Sequence, residues 1–205
     1  MGRRSKVILD LAHTTNGIKG EEIMAIKADV TLDAKGLACP MPIVRTKKTI
    51  DTLEAGQVLE IQATDKGSTA DLKAWAERVG HQYIGTIEEG DVLKHYVRKS
   101  SQGEEAEKKH PHVISNEDLQ KKMDTNETIV IVDVRESAEF AFQSIPGAIS
   151  IPLGELDDRL SELNADDEIY VVCRTGSRSD LAAQKLTEKG FSNVINVIPG
   201  MSQWK

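Results

Sequence analysis

The chain has 205 residues, of which 39% are hydrophobic and 29% charged, as is ordinary for a globular protein of one large or two small domains. Its apolar runs fall far short of the roughly 20 residues that a membrane span requires. Residues 1–100 hold 15 Lys and Arg against 14 Asp and Glu, and residues 101–205 hold 11 against 19, so neither half has the basic charge of a nucleic-acid surface.

Residues 1–24 show little hydrophobic periodicity, and we expect them to be disordered or to lie upstream of the natural start. Residues 19–23 can be encoded by a purine-rich stretch at the usual spacing of a ribosome-binding sequence from Met24. Met24 is therefore the expected start of translation.

Residues 25–98 predict a unit with the order strand, helix, strand, helix, strand, strand. The first helix follows Cys39 and ends at Gly56. The second helix is expected to begin with Ser68 as its N-cap and with Asp71 in the capping-box position. The expected apolar face of this helix comprises Leu72, Trp75, Ala76 and Val79, and the strands cover residues 30–33, 58–63, 83–87 and 93–97.

Residues 99–112 contain no apolar residue except Ala106, and we predict that they form a linker. A flexible linker of this length has a root-mean-square end-to-end distance of about 20 Å.

Residues 113–205 predict a second unit in which strands and helices alternate. Residues 129–132 and 169–172 are unbroken apolar runs, which are typical of parallel strands buried on both faces. The unit is therefore expected to be an open α/β fold, which binds ligands at the carboxyl ends of its strands. The remaining predicted elements are a helix over residues 177–189, with Leu181, Ala182 and Leu186 facing inward, and a strand over residues 194–198.

Each of the two cysteines stands just before a predicted helix, Cys39 in the first unit and Cys173 in the second. A helix N-terminus offers unpaired N–H groups and a partial positive charge, so a thiol placed there has a lowered pKa and becomes a better nucleophile. One cysteine per unit argues against a disulfide framework, and the reducing cytoplasm is the expected compartment.

The loop at Cys39 contains two prolines, Pro40 and Pro42, which fit only the first turn of a helix. Their fixed backbone angles hold the sulfur outward at little entropic cost. The alternative interpretation is a capped but inert cysteine.

The loop at Cys173 continues with Arg174, Thr175, Gly176, Ser177 and Arg178. Gly176 lets the backbone curl with its N–H groups inward, and the two arginines add fixed positive charge for an oxyanion. We predict that residues 174–178 form a substrate-binding cradle around Cys173. One alternative is a buried structural cysteine; the other is a phosphatase loop, which needs five residues between its cysteine and arginine, whereas Ser179 stands in the arginine's place here.

These motifs make residues 113–205 similar to a single-domain rhodanese. The resemblance implies a thiosulfate- or persulfide-dependent sulfurtransferase in which Cys173 carries the persulfide. The chain departs from the family where Gln143 and Ser144 replace a usual Gly-His pair, and where it stops at Lys205 although many members continue. The matching segments are residues 132–136, 139–140, 145–148, 173–178 and 199–204.

Residues 28–98 resemble the TusA/SirA-like sulfur carriers, which are two-layer α/β sandwiches. The resemblance rests on residues 33–38 before the Cys39-Pro40 pair and on residues 64–68, where Lys66 replaces a common proline. It implies that Cys39 carries a persulfide and delivers it by docking to partner proteins.

Asp133 and Arg135 follow a predicted central strand and are expected to form a polar network near the Cys173 loop, either as structural support or with a direct catalytic role. The five histidines have no partner cysteine at the spacing of metal ligands, so no metal site is predicted. No cofactor is expected beyond a covalent cysteine persulfide.

The sequence therefore predicts a two-domain sulfurtransferase. Thiosulfate or a low-molecular-weight persulfide loads Cys173, and sulfane sulfur then moves to Cys39 or to an external thiol or acceptor protein. The direction of transfer between the two cysteines stays open, and neither DNA nor a membrane is an expected partner. The alternatives are a non-catalytic persulfide relay adaptor or sensor, and a small phosphatase or arsenate-handling enzyme.

Overall fold

A computed structural model of the chain describes residues 6–8, 26–100, 109–125 and 129–205. The chain divides into two compact units, Met1–Gln102 and Gly103–Lys205, and each is described by itself. None of the helices in these described ranges combines the length and the apolar character that crossing a bilayer requires.

The first unit is a five-stranded mixed sheet with two helices. Its elements are β1 (Lys6–Ile8), β2 (Val30–Asp33), α1 (Met41–Asp51), β3 (Val58–Ala63), α2 (Ser68–Val79), β4 (Gln82–Glu89) and β5 (Val92–Arg98). The strand order in the sheet is β1-β4-β5-β3-β2. β2 and β3 are parallel, and the remaining neighbours are antiparallel. Both helices share one buried core with β3 and β5, which confirms the predicted two-layer α/β class.

The disorder predicted as one alternative for residues 1–24 does not hold for β1. Lys6–Ile8 pair antiparallel with β4 and extend the sheet by one strand. Three residues are too short a stretch for periodicity to reveal a strand. The rest of this prediction, including a start at Met24, lies outside the described residues.

The predicted N-cap of α2 is wrong by one residue. Gly67 occupies the cap and makes no side-chain cap hydrogen bond, while Ser68 is the first helical residue. The Ser68 hydroxyl donates instead to the Asp65 carbonyl at 2.5 Å and contacts His95 Nε2 at 2.9 Å. Burial lowers the pKa of His95 to about 4, so this histidine is a neutral member of the core.

The second unit is a five-stranded parallel sheet with helices. Its elements are β6 (Val113–Ser115), α3 (Asn116–Asp124), β7 (Val130–Asp133), α4 (Ser137–Phe142), β8 (Ile149–Ser150), β9 (Ile169–Val172), α5 (Ser177–Glu188) and β10 (Val194–Ile198), with 3-10 turns at Leu153–Asp158, Leu160–Glu162 and Gly200–Gln203. The strand order in the sheet is β6-β10-β9-β7-β8. Within the strand β9, Ile169 and Val171 pack on the side of the helix α5, while Tyr170 and Val172 pack on the side of α3. Helices therefore cover both faces, as the unbroken apolar run predicts.

Two residues assigned to inward helix faces are exposed instead. Val79 is 46% exposed at the end of α2, and Leu181 is 48% exposed on α5. In α5 the buried apolar positions are Ala182, Ala183 and Leu186, so the prediction is confirmed for Ala182 and Leu186, and Ala183 faces inward where Leu181 was expected to.

The ends of the predicted linker, residues 99–112, are held by the units on either side. Lys99 N donates to Gln57 O at 2.9 Å, and Gly56 N donates to Lys99 O at 2.7 Å. At the other end, His110 is buried, and its backbone N–H donates to the carboxylate of Asp180 at 3.0 Å. These bonds use backbone groups, which composition does not reveal, so the linker prediction is too long at both ends.

Candidate functional site

Cys173 lies at the carboxyl end of β9 and is buried, with 1% of its surface exposed. Its loop leads into α5, whose N-cap is Gly176 at a φ of 91°, in the left-handed region that glycine adopts most readily. This turn brings Gly176 N–H to 3.1 Å from the Cys173 sulfur, and the Ser179 hydroxyl lies 3.3 Å from the same atom. Two hydrogen-bond donors therefore converge on one sulfur, an arrangement suited to an anionic sulfur.

The predicted cradle residues separate into two groups. Arg174 and Thr175 are exposed at the rim of the loop, and Ser177 is partly exposed. Arg178 is 8% exposed, and its guanidinium forms two hydrogen bonds with the Glu139 carboxylate at 2.8 and 2.9 Å. Glu139 thus compensates the charge of the Arg178 guanidinium, whereas the side chain of Arg174 is exposed.

The segment after β10 supports the cysteine loop through its backbone. Met201 N donates to Cys173 O and Ser202 N donates to Arg174 O, both at 2.8 Å. The Asn116 side chain in turn binds both backbone groups of Gly200, at 2.9 Å to its carbonyl and 3.2 Å to its N–H. The loop is thus bound on the side of residues 200–202 as well as by α5.

Asp133 and Arg135 form a buried ion pair next to the strand that carries Cys173. Arg135 donates to both Asp133 oxygens, with the shortest contact 2.6 Å from Nη2 to Oδ2. The same Nη2 donates to the carbonyl of Gln143 at 2.6 Å. Between them in sequence, Val134 N donates to Val172 O at 3.0 Å, one residue before the cysteine. These contacts favour structural support, one of the two predicted roles.

Four buried polar residues around Cys173 have no functional role that the sequence predicts. The Glu136 to Glu139 spacing is a capping-box signal, and both of its hydrogen bonds are present, but it does not reveal the pairing of Glu139 with Arg178. No local pattern points to the others, because Asn196 joins Ser179 and Asp180 from β10, 17 and 16 residues further along the chain. The four residues are Glu139, Ser179, Asp180 and Asn196.

Cys39 is exposed at the entrance of α1. Pro40 and Pro42 do lie at the helix start, but neither has an N–H, and the N–H of Met41 donates to Ala38 O at 3.0 Å. Two of the N–H groups that could stabilise a thiolate at this helix start are thus missing, and that of Met41 is already bonded. On α1, the helix that follows the thiol, Met41 is 44% exposed and Val44 is 38% exposed.

The pKa predicted for a thiol at this position is wrong in direction. The Cys39 thiol donates to Asp71 Oδ2 at a sulfur–oxygen distance of 3.4 Å. This hydrogen bond, followed by partial desolvation and the negative charges of Asp71 and Asp65, raises the pKa of Cys39. Asp71 belongs to α2, so only the packing of the two helices creates this contact.

Replacing Asp71 with asparagine is therefore expected to make Cys39 react several-fold faster with iodoacetamide at pH 7, since removing the carboxylate charge lowers the thiol pKa and increases the thiolate fraction. The measurement uses a Cys173→Ser background, in which Cys39 is the one remaining thiol of the chain. Glu77→Gln removes the same charge from an exposed position of α2 and serves as the control. Equal rates for the Asp71 and Glu77 variants would contradict the assigned cause.

No metal centre is formed by the described residues: in these ranges, no three His, Cys, Asp or Glu side chains cluster in a way that would bind an ion.

Comparisons with known proteins divide the chain in the same way as its structure. The family model described as sulfurtransferase TusA matches residues 30–99, and the model of the rhodanese-like domain matches residues 115–205. Putative sulfur carrier protein YrkF of Bacillus subtilis is 52% identical over 179 residues, which cover 87% of this chain and 97% of YrkF. Both units are therefore present, in the same chain, in one relative.

Two shorter Bacillus subtilis proteins each match one unit. Putative sulfur carrier protein YrkI is 57% identical over 74 residues, which cover 36% of this chain and 99% of YrkI. Putative sulfurtransferase YtwF is 37% identical over 92 residues, which cover 45% of this chain and 88% of YtwF.

Proposed function

The chain belongs to the sulfur carrier and sulfurtransferase family of YrkF, in which a TusA-like domain precedes a rhodanese-like domain, and we propose that it transfers sulfane sulfur from thiosulfate or a low-molecular-weight persulfide through Cys173 to Cys39 or to an external thiol. The observation that carries this proposal is the sulfur of Cys173 at the start of α5, with two hydrogen-bond donors within 3.3 Å of it.

In the loading step, the Cys173 thiolate attacks the outer sulfur of thiosulfate. A new sulfur–sulfur bond forms, the original one breaks, and its electron pair leaves with sulfite. The products are a persulfide anion on Cys173 and sulfite, so charge and atoms balance without another reactant. The N–H of Gly176 and the hydroxyl of Ser179 are placed to stabilise the anionic attacking sulfur.

In the transfer step, the Cys39 thiol gives its proton to water and attacks the terminal sulfur of the Cys173 persulfide. The terminal sulfur forms a bond to Cys39, and the old bond returns its electron pair to Cys173 as a thiolate. The exposure of Cys39, and of Met41 and Val44 on the helix that follows it, supports delivery from this cysteine to acceptor proteins. Both cysteines are free, as this chemistry requires, and the reducing cytoplasm is the compartment that we propose.

The test compares single-cysteine variants in the full chain. Cys173→Ser is expected to reduce sulfite release from thiosulfate to background with cyanide as acceptor, because no other residue replaces the nucleophile. Cys39→Ser is expected to retain this turnover but to lose sulfur labelling of peptides from the first unit in mass spectra. Sulfite release by the Cys173→Ser chain at the wild-type rate would reject the assignment.

The same assay separates the enzyme from the relay adaptor or sensor. An enzyme releases many equivalents of sulfite per chain, whereas an adaptor or sensor stops after stoichiometric loading of its cysteines. The buried Cys173 with its converging donors supports turnover, and the exposed Cys39 fits either function.

A further inference from the structure

A row of buried polar side chains leads away from the Cys173 sulfur. The Ser179 hydroxyl oxygen lies 3.3 Å from this sulfur and 2.6 Å from Asn196 Oδ1. Ser179 and Asn196 are both completely buried. Since buried polar groups are costly unless they are satisfied, both side chains depend on these contacts.

A serine hydroxyl has one hydrogen and donates it to one acceptor at a time. While Cys173 is a neutral thiol, its S–H can donate to Ser179 Oγ, and the Ser179 hydrogen then points to Asn196 Oδ1. Once the sulfur is an anion it needs donors, and the hydroxyl hydrogen can rotate to it. Because a charge-assisted hydrogen bond is about twice as strong as a neutral one, the anion is the form that gains from this rotation.

Asn196 holds both groups that contact the sulfur. Its Nδ2 donates to the carbonyl of Gly176 at 3.1 Å and faces Asp180 Oδ1 at 3.4 Å. With two acceptors on the Nδ2 side, the amide has one favourable orientation, which presents Oδ1 to Ser179. Asn196 therefore accepts the Ser179 hydrogen while the sulfur is a neutral thiol, and it holds Gly176 in place through the Gly176 carbonyl.

The carboxylate of Asp180 is itself fixed. It accepts the backbone N–H groups of Lys109 and His110, both at 3.0 Å, and the Gln184 side chain at 2.6 Å. Burial would raise the pKa of Asp180, but these hydrogen bonds outweigh it and lower the pKa. Asp180 thus stays an acceptor and keeps the Asn196 amide in its orientation.

We propose that Ser179 and Asn196 are positioning residues for the Cys173 nucleophile: the Ser179 hydroxyl acts as a rotating donor that stabilises the sulfur anion, and Asn196 accepts the hydroxyl hydrogen while the sulfur is a neutral thiol and holds Gly176, whose N–H donates to the sulfur. This inference rests on the proposed function of Cys173 and adds to it the groups that keep its sulfur reactive. It also gives Ser179, the residue that stands where a phosphatase loop has its arginine, a role in sulfur chemistry.

The test measures iodoacetamide alkylation of Cys173 as a function of pH in a Cys39→Ser background, where Cys173 is the remaining thiol. Ser179→Ala is expected to slow alkylation at pH 7 by about tenfold, because the sulfur anion loses one charge-assisted hydrogen bond. The midpoint of the plot of alkylation rate against pH is expected to move to higher pH. Asn196→Ala is expected to slow alkylation less than Ser179→Ala does, because it releases Gly176 but also removes the acceptor that competes with the sulfur for the hydroxyl hydrogen. In the Ser179→Ala background this competition is absent, so Asn196→Ala is expected to slow alkylation more than it does alone.

Thr187→Ala is the matched control, since it removes a hydroxyl from the same helix that donates to Ala183 O at 2.9 Å. It is expected to leave the alkylation profile unchanged. The charged side chains around the loop are the same in all variants: Arg174, Arg178, Glu139, Asp180, Asp133 and Arg135.

A second readout separates positioning from a merely structural role. If the hydroxyl stabilises the anion, thiosulfate turnover by Ser179→Ala recovers at alkaline pH, where the sulfur ionises without help. An unchanged alkylation profile in the folded Ser179→Ala chain, or a turnover deficit that is equal at every pH, would overturn the inference. Alkylation needs no sulfur donor, so failure of the wild-type chain to form a persulfide rejects the proposed function without changing this result.

Discussion

Replacing Glu139 with glutamine is expected to lower the free energy of unfolding of the second unit by about 3–5 kcal/mol. The Glu139 carboxylate is almost fully buried, and it pairs through two hydrogen bonds with the buried guanidinium of Arg178. Glutamine keeps the size of the side chain but removes the negative charge that pairs with the arginine away from water. The loss is a large share of the roughly 5–15 kcal/mol that stabilises a typical domain.

Urea denaturation of the full chain, followed by tryptophan fluorescence, measures this change. The chain has two tryptophans, Trp75 in the first unit and Trp204 in the second, so a Trp75→Phe background reports on the second unit alone. Glu162→Gln is the control, because it breaks a solvent-exposed pair with Arg159 and is expected to change the free energy of unfolding far less. Similar losses in the Glu139 and Glu162 variants would contradict the buried pair's role.

A double variant, Glu139→Met with Arg178→Met, separates the two roles of Arg178. Removing both charges together avoids an unpaired buried ion, so most of the stability is expected to return. If Arg178 acts only through its pair with Glu139, thiosulfate turnover returns as well. If Arg178 also binds the donor anion, as the sequence predicts, stability returns and turnover does not.

Replacing Gly200 with alanine is expected to displace the cysteine loop and to destabilise the second unit by about 2–5 kcal/mol. A Cβ at this position would lie 2.3 Å from the carbonyl oxygen of Cys173 and 3.2 Å from that of Arg174. Both atoms belong to the backbone, which yields less readily than a side chain. Alanine would also have to adopt a φ of +78°, which L-residues rarely do.

The Gly190→Ala variant isolates the effect of the clash. Gly190 has a φ of +96°, but no atom lies within 4 Å of the Cβ position, so alanine meets backbone strain there without a collision. Its expected cost is about 1–2 kcal/mol. The Gly200 variant is expected to be less stable than the Gly190 variant and to alkylate more slowly at Cys173; equal behaviour of the two would show that the close approach has no effect.

Local patterns in the sequence predict most of the architecture because they record burial along single elements. The run at residues 169–172 contains only apolar side chains, and such a strand is stable only between two covering layers. The cysteine and the glycine of the following loop then indicate where a nucleophile lies. The same reasoning locates Leu181 on the wrong face of α5, although it places Ala182 and Leu186 correctly, because a residue at the edge of the apolar face fits the helical periodicity nearly as well as one at its centre.

The electrostatic surroundings of the two thiols follow from contacts between distant residues. Cys39 meets Asp71, which is 32 positions away, and this contact reverses the direction of the predicted pKa shift. Arg178 meets Glu139, 39 positions away, and the contact neutralises a charge that the motif alone assigns to the substrate. A motif states which groups are near in sequence, whereas charge acts through distance in space.

The sequence by itself determined that this chain has two α/β units, each with one cysteine at the entrance to a helix, because periodicity and turn residues act over a few positions. Only the tertiary structure decided what surrounds each sulfur: donors from Gly176 and Ser179 at Cys173, and a carboxylate from Asp71 at Cys39. The physical reason is that hydrogen bonds and ion pairs require contact, and folding creates these contacts between elements that no local pattern relates.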